Sequence, residues 1–229
     1  MKSSHVLENQ TRSRIVLIAC AIAFAVAFAL ALPQPAYADD VTPPPVPGNI
    51  KVRAGNEAFL VGHAVGTQNY VCLPSGSGVA FTLFTPEATL FSDDGKQITT
   101  HFFSPNPFEH NTNPAVSAAG TIRATWQHSR NTSTVWGQVK PGDSSSDAAF
   151  VAPNAIAWLL VTVVGAENGP TGGDTLTETT FIQRLNTSGG LAPSTGCTSA
   201  TDVGHLAFAP YTADYFFYRA AGGNAEHGD

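Results

Sequence analysis

Outside its first 38 residues the chain carries six histidines: His63, His101, His110, His128, His205 and His227. None has the His-x-x-x-His or Cys/His spacing of a zinc site. His101 is the most suggestive, because it lies in "ITTHFF", a segment that pairs across a hairpin with the region of Glu87; His128 ends the segment "TIRATWQH". Glu87, His101 and His128 brought together across strands would bind a metal or form an acid–base set. The alternative is a half-buried, hydrogen-bonded histidine in a strand and a second one in a solvated turn. Ser75 and Ser77 in "PSGSGVAF" lack the Gly-x-Ser-x-Gly spacing of a nucleophile and read as a turn. Glu87, Asp93, Asp94, Glu109 and Asp174 are candidates for paired carboxylates by residue type alone. Trp136, with several tyrosines, is the candidate for an aromatic sugar-binding face, whereas Trp126 and Trp158 read as core.

The segment "IQRLNTSGGLAPSTGC" (182–197) combines a Gly-Gly pair, one arginine and a cysteine. A phosphate cradle needs backbone N–H groups at a helix start, and no helix pattern follows Gly190. Arg184 alone supplies too little charge for one. The segment reads instead as a strand ending at Leu185, then a turn over Asn186–Gly190 on residues that tolerate positive φ. Cys197 is thereby delivered toward Cys72. No dinucleotide fingerprint and no βαβ unit are present, and no cofactor is expected.

The elements that must position these residues are strands. Alternation is clear at the end of "EAFLVGHAVGTQNYVCL", where Gln68, Tyr70 and Cys72 share one face. "VAFTLFTPEATLF" and "KQITTHFF" flank Asp93-Asp94-Gly95 and read as a hairpin, with Ile98, Thr100 and Phe102 on one face. "TIRATWQ" and "STVWGQVK" form a second hairpin. The apolar run "AIAWLLVTVVG" reads as a strand buried on both faces, and "LTETTFIQRL" and "YTADYFFYR" complete the set. Eight to ten mostly antiparallel strands in one domain predict an all-β fold, a sandwich or a barrel; the pattern does not choose between them.

The first 38 residues form a leader: Arg12 and Arg14, an apolar run over 15–32, a Pro33/Pro35 break and the small-x-small site Ala36-Tyr37-Ala38. An uncleaved membrane anchor is the alternative. Residues 39–49 are a Pro-rich spacer expected to be extended and mobile, 50–219 the β domain, and 220–229 a flexible tail. With the leader go Lys2, Arg12, Arg14 and Glu8, leaving 8 basic residues against 16 acidic ones, a net charge of −8. That charge disfavours nucleic acid and anionic membrane surfaces as partners, and no membrane span is expected in the mature chain. Cys20 leaves with the leader too, so Cys72 and Cys197 remain to form one disulfide in an exported chain. Two free thiols are the alternative. Asn131 and Asn186 each begin an N-glycosylation sequon and are expected in surface turns.

The order "GTQNYVC", "FTPEATLF", "HFF", "AIAWLLV", "FIQRLNTSGGLAPSTGC" and "PYTADYFFY" resembles the DUF3455 family, over about residues 50–219. The resemblance matches Gln68, Tyr70 and Cys72 to a Gln-x-Tyr-x-Cys motif and Cys197 to a second family cysteine; Pro86, Glu87, Ala88, His101 and Phe102 fall on recurring positions. Ala157 stands where the family commonly has proline, and "SRNTST" where it has an Asp-Gly-Ser turn. The resemblance implies no activity and no catalytic residues. The expectation is a secreted, extracellular or cell-surface binding module with a polysaccharide or cell-surface component as partner. Its alternatives are a secreted metal-assisted hydrolase using Glu87, His101 and His128, and a structural envelope or matrix protein.

Overall fold

A computed structural model describes residues 41–109 and 113–222. Its strands are β1 (Asn56–Ser75), β2 (Gly78–Phe91), β3 (Gln97–Asn106), β4 (Thr121–His128), β5 (Thr134–Ser145), β6 (Trp158–Glu167), β7 (Phe181–Gly189) and β8 (Leu206–Ala220). Each pairs antiparallel with the next, and β8 returns to pair with β1, closing a barrel in simple up-and-down order. Of sandwich and barrel, the barrel is realised, with eight strands. One short helix, α1 (Pro114–Ala119), is capped by Asn113, whose side chain accepts a hydrogen bond from the Ala115 N–H. The expected leader lies outside the described residues. Among those residues, no helix is long and apolar enough to cross a membrane.

Closure makes the two-residue period of every strand a choice between lumen and exterior. Ala64, Ala88, Leu90, Trp126, Val135, Val161, Ile182, Tyr215 and Phe217 pack together inside. Close approach is needed at Gly66, which faces Ala88 and Tyr211 in the register. A Cβ there would stand 2.0 Å from the Glu87 carbonyl oxygen. One end of the barrel is sealed by the loop between β6 and β7. Its Leu176 is fully buried in the lumenal cluster, and its backbone N–H donates to Ser133 Oγ at 3.2 Å. "LTETTFIQRL" therefore becomes strand only from Phe181, because its first residues form this plug.

A second apolar layer lies outside the wall, where Trp158, Leu160, Phe181, Leu185, Phe216 and Tyr218 are covered by Val41, Val46, Ile50 and Val151. β6 is thus buried on both faces, as its unbroken apolar run predicts. The expected mobile spacer, residues 39–49, is corrected over its described part: Val41, Val46 and Asn49 lie against the barrel, continuous with Ile50. Ile50 is 0 % exposed, its carbonyl accepts from Gln183 Nε2 at 2.6 Å, and Asn49 Nδ2 donates to the carbonyls of Gly142 and Ser144. The prolines of this segment limit its unfolded freedom, and its valines and isoleucine have an apolar wall to cover. The tail is corrected at its start, because Ala220 pairs with Asn56 and the Ala221 N–H donates to the Gly55 carbonyl. Residues 223–229 lie outside the described set.

On the exterior, His63 is held between two carboxylates. Its Nδ1 lies 2.7 Å from Asp214 Oδ1 and its Nε2 lies 2.9 Å from Asp93 Oδ1; Asn186 Nδ2 donates to Asp214 Oδ2 at 2.7 Å. This strap joins β1, the β2–β3 turn, β8 and β7. The hydrogen bond to Asp214 raises the His63 pKa above its usual value, burial opposes the rise, and Asp93 adds to it.

Two outcomes are expected. Ile50→Ala should lower unfolding stability by about 2–5 kcal/mol in a denaturant titration; a change within error would mean that residues 41–50 are not part of the core. For His63, a raised native pKa means that its stabilisation is full below the unfolded value of about 6.5 and is lost as pH rises through the native value. The Tm advantage of the wild type over His63→Gln should therefore shrink as pH rises above about 6.5. An advantage that stays constant or grows would count against the strap.

Candidate functional site

In the other half of the barrel the lumen stays open, with Ala124, Ala155 and Ala157 among its lining residues. The result is a cup of about 480 Å³, with walls that include Tyr70, Leu83, Phe103, Ala124, Leu159 and Ile156. Leu83, Val139 and Leu191 are more than a third exposed and line the cup, so they form its rim. Aromatic rings make the floor. His101 stacks on Trp126 with centroids 4.2 Å apart and planes 7° apart, and Tyr215 meets Trp126 edge-on at 5.7 Å.

His101 is 4 % exposed, and its Nδ1 lies 2.9 Å from the Thr125 carbonyl. That carbonyl can only accept, so Nδ1 carries the proton and Nε2 is left with a lone pair. Burial pushes the His101 pKa down to about 3, against which the bond to Thr125 is a smaller, opposing effect. The ring is therefore neutral near pH 7.

Arg184 is the cation of the cup. On β7 it is the next inward-facing residue after Ile182. Its Nε and Nη2 donate to the Ala157 carbonyl at 3.2 and 2.8 Å. Among the described residues no carboxylate forms an ion pair with it. Its charge reaches Tyr70, His101, Tyr211 and Tyr215. The hydroxyls of Tyr211 and Tyr215 lie 3.2 Å apart, and burial raises the pKa of both, so both stay neutral. Gln68 also lines the cup, and its Nε2 is buried without a hydrogen-bond partner.

The segment 182–197 builds much of this site. β7 runs on to Gly189 rather than ending at Leu185, with a bulge against β8 between Leu185 and Ser188. Asn186 has φ +50° within that bulge, so the expected positive φ is present but serves a bulge inside a strand, not a turn. Gly190, at φ +83°, lets its carbonyl accept from Tyr70 Oη at 2.7 Å; a Cβ there would meet Ile156 and Tyr211 at 3.0 Å. Cys197 is bonded to Cys72 with Cα atoms 5.4 Å apart, and Cys72 exchanges backbone hydrogen bonds with Gly204 and His205. The disulfide thus fastens the loop that carries Leu191 to the end of β1. Arg184, too little charge for a phosphate cradle, is the cationic residue that lines the cup. Its signal was parity: it is in phase with Ile182 on a strand whose other face, Phe181, Gln183 and Leu185, is also buried.

The other candidates are dispersed. The register pairs His101 with Ala88, so Glu87 faces the opposite side of the wall, exposed, accepting from Asn69 Nδ2 at 3.0 Å. His128 sits near the sealed end, opposite Thr99, and its Nδ1 accepts the Asn131 N–H at 3.3 Å. Glu87, His101 and His128 therefore do not form one site. Among the described residues no group of three or more His, Cys, Asp or Glu side chains is arranged to hold a metal ion. Trp136 is 5 % exposed, donates from Nε1 to Ser104 Oγ at 2.9 Å, and is met edge-on by Phe108. It presents no stacking face, because its strand parity turns it under Phe108. Trp126 and Trp158 are core residues. Glu109 is engaged by Arg123, which lowers its pKa, and Asp94 by Lys96 and Ser92. Asn186 is exposed, whereas Asn131 is half-buried and its side chain bonds to Thr175 and Ser133.

The fold and this site define a closed up-and-down β-barrel with a solvent-open lumenal cup. The chain belongs to the DUF3455 family, described as a protein of unknown function, whose model matches residues 53–219. No curated protein and no solved structure matches it.

Burying His101 in its neutral form has a definite consequence for acid stability. A native pKa held below the unfolded value gives stability that is present above about pH 6.5 and is lost as pH falls toward the native value. Between pH 7 and about pH 4 the fold should lose on the order of 3 kcal/mol through His101. In His101→Phe, chemical denaturation across that range should show a loss smaller by about that amount. Equal losses in the two proteins would contradict a neutral, buried ring.

Proposed function

We propose that this protein is an exported, non-enzymatic binding module that holds one small molecule with an apolar body inside its barrel. The observation that carries this reading is the cup: about 480 Å³, mostly apolar, rimmed by exposed Leu83, Val139 and Leu191. An eight-stranded barrel has room to fill its interior with side chains or to keep one small ligand there. Here only the half near Leu176 is filled. A volume in the range of roughly 300–1,000 Å³, with apolar walls and a few convergent polar groups, suits a small organic ligand. Keeping such a lumen empty forfeits dispersion contacts that larger side chains would make, a cost without return in a purely structural barrel.

Export is supported by the leader pattern in residues 1–38 and by the disulfide, which persists in oxidising compartments. A polysaccharide laid across aromatic rings has less support, since Trp136 is buried. The hydrolase reading has no site, because Glu87 and His101 face opposite sides of the wall.

A neutral fluorophore that brightens in apolar surroundings, N-phenyl-1-naphthylamine, tests the reading by titration. Saturable binding of one probe per chain is expected. Val139→Trp, which places a large ring in the rim, should weaken it at least roughly tenfold. Phe208→Ser, on the exposed outer face, should leave it unchanged. No saturable binding, or equal binding by the Val139→Trp variant, would overturn the proposal.

A further inference from the structure

Among the described residues, the cation of the cup has no counter-charge. Arg184 directs two N–H groups to the Ala157 carbonyl, and its remaining surroundings in the cup are neutral: Tyr70, Tyr215, His101 and Gln68. A guanidinium taken part-way out of water and given no anion keeps only neutral partners, the Ala157 carbonyl and the Tyr215 hydroxyl, in place of part of its hydration. The unpaired Gln68 Nε2 adds a second unmet donor to the same wall. Both deficits have one sign, since each asks for an acceptor. Carboxylates of the neighbouring strands do not meet the demand: Glu87 stands outside the wall, and Asp214 is engaged by His63 and Asn186 on the exterior.

We infer that the cup binds an organic monocarboxylate, its head group against Arg184 and its apolar body along Phe103, Ala124, Trp126 and Leu159. This rests on the ligand-binding reading above. A planar guanidinium matches a carboxylate in geometry and supplies charge-assisted hydrogen bonds. One positive charge neutralises one negative charge. A phosphate dianion would leave a second charge uncompensated inside a mostly apolar wall. The protein's own negative charge, −6 for the whole chain and −8 without the leader, also opposes a more highly charged anion. The aromatic floor and the apolar rim account for the rest of the molecule, which must be uncharged.

Calorimetric titration of the wild type with decanoate, decan-1-ol and decyl phosphate at neutral pH tests the inference, since the three share one apolar chain. Decanoate should bind at least roughly tenfold more tightly than decanol, the increment expected of a charge-assisted hydrogen bond. Arg184→Gln should remove that difference; Arg184→Lys, which keeps the charge, should retain part of it. Should Arg184→Gln not fold, the preference of the wild type for decanoate and its partial loss in Arg184→Lys decide the matter. Equal binding of decanoate and decanol by the wild type would overturn the anion assignment while leaving the apolar cup intact. Tighter binding of decyl phosphate would overturn the choice of carboxylate. Absence of binding by all three, together with failure of the neutral fluorophore, would overturn the ligand-binding reading itself.

Discussion

Pairing of β8 with β1, from Asn56 opposite Ala220 to Val71 opposite Leu206, is the constraint on which the other features depend. It removes both free edges of the sheet, so no strand must be shielded from pairing with another chain. It also makes every residue on every strand either lumenal or external. With the β3–β4 pairing and the parity of β2, this leaves His101 beside Trp126 and Glu87 in solvent, although the residue paired with His101 is the immediate neighbour of Glu87. A slip of one residue in any strand would exchange the two sets.

Closure creates an interior, and the size of the side chains decides how much of it remains. Near the sealed end Leu90, Trp126, Val135, Ile182, Phe217 and the plug Leu176 fill the space. Toward the other end Ala124, Ala155 and Ala157 leave it open, and Arg184 is the next inward residue after Ile182. The same wall is covered outside by Ile50, Val46 and Val151, so β6, β7 and β8 are held from both faces. A half-buried cation needs such support, because its desolvation works against the fold. The disulfide between Cys72 and Cys197 adds a covalent tie at the open end, where packing is thinnest.

Much of the fold was legible along the chain. Asp93-Asp94-Gly95 marked the first hairpin, alternation around Trp126 and Trp136 marked the second, and Val and Thr content identified β6 as a strand. These are local signals, set by backbone geometry and by the two faces of a strand. What local signals miss depends on distant partners. The segment 41–50 has no periodic pattern of its own and orders because the outer face of β6–β8 is apolar. Trp136 is buried because Phe108 and Ser104, from the chain on the far side of β4, reach it. A lone arginine makes no phosphate loop, and only its phase with Ile182 marks it as lumenal.

The sequence by itself determined an all-β domain with its hairpins, one cysteine pair and a family, since each follows from residues close together or from residue type. Whether the sheets would stack or close was decided only by the tertiary structure, because registers among eight strands are coupled and no single strand encodes them. The same coupling dispersed Glu87, His101 and His128 and gathered Arg184, Gln68, Tyr70 and Tyr215 around one cavity. A cavity is a property of what surrounds it, and its walls here come from every strand of the barrel and from the loops at its open end.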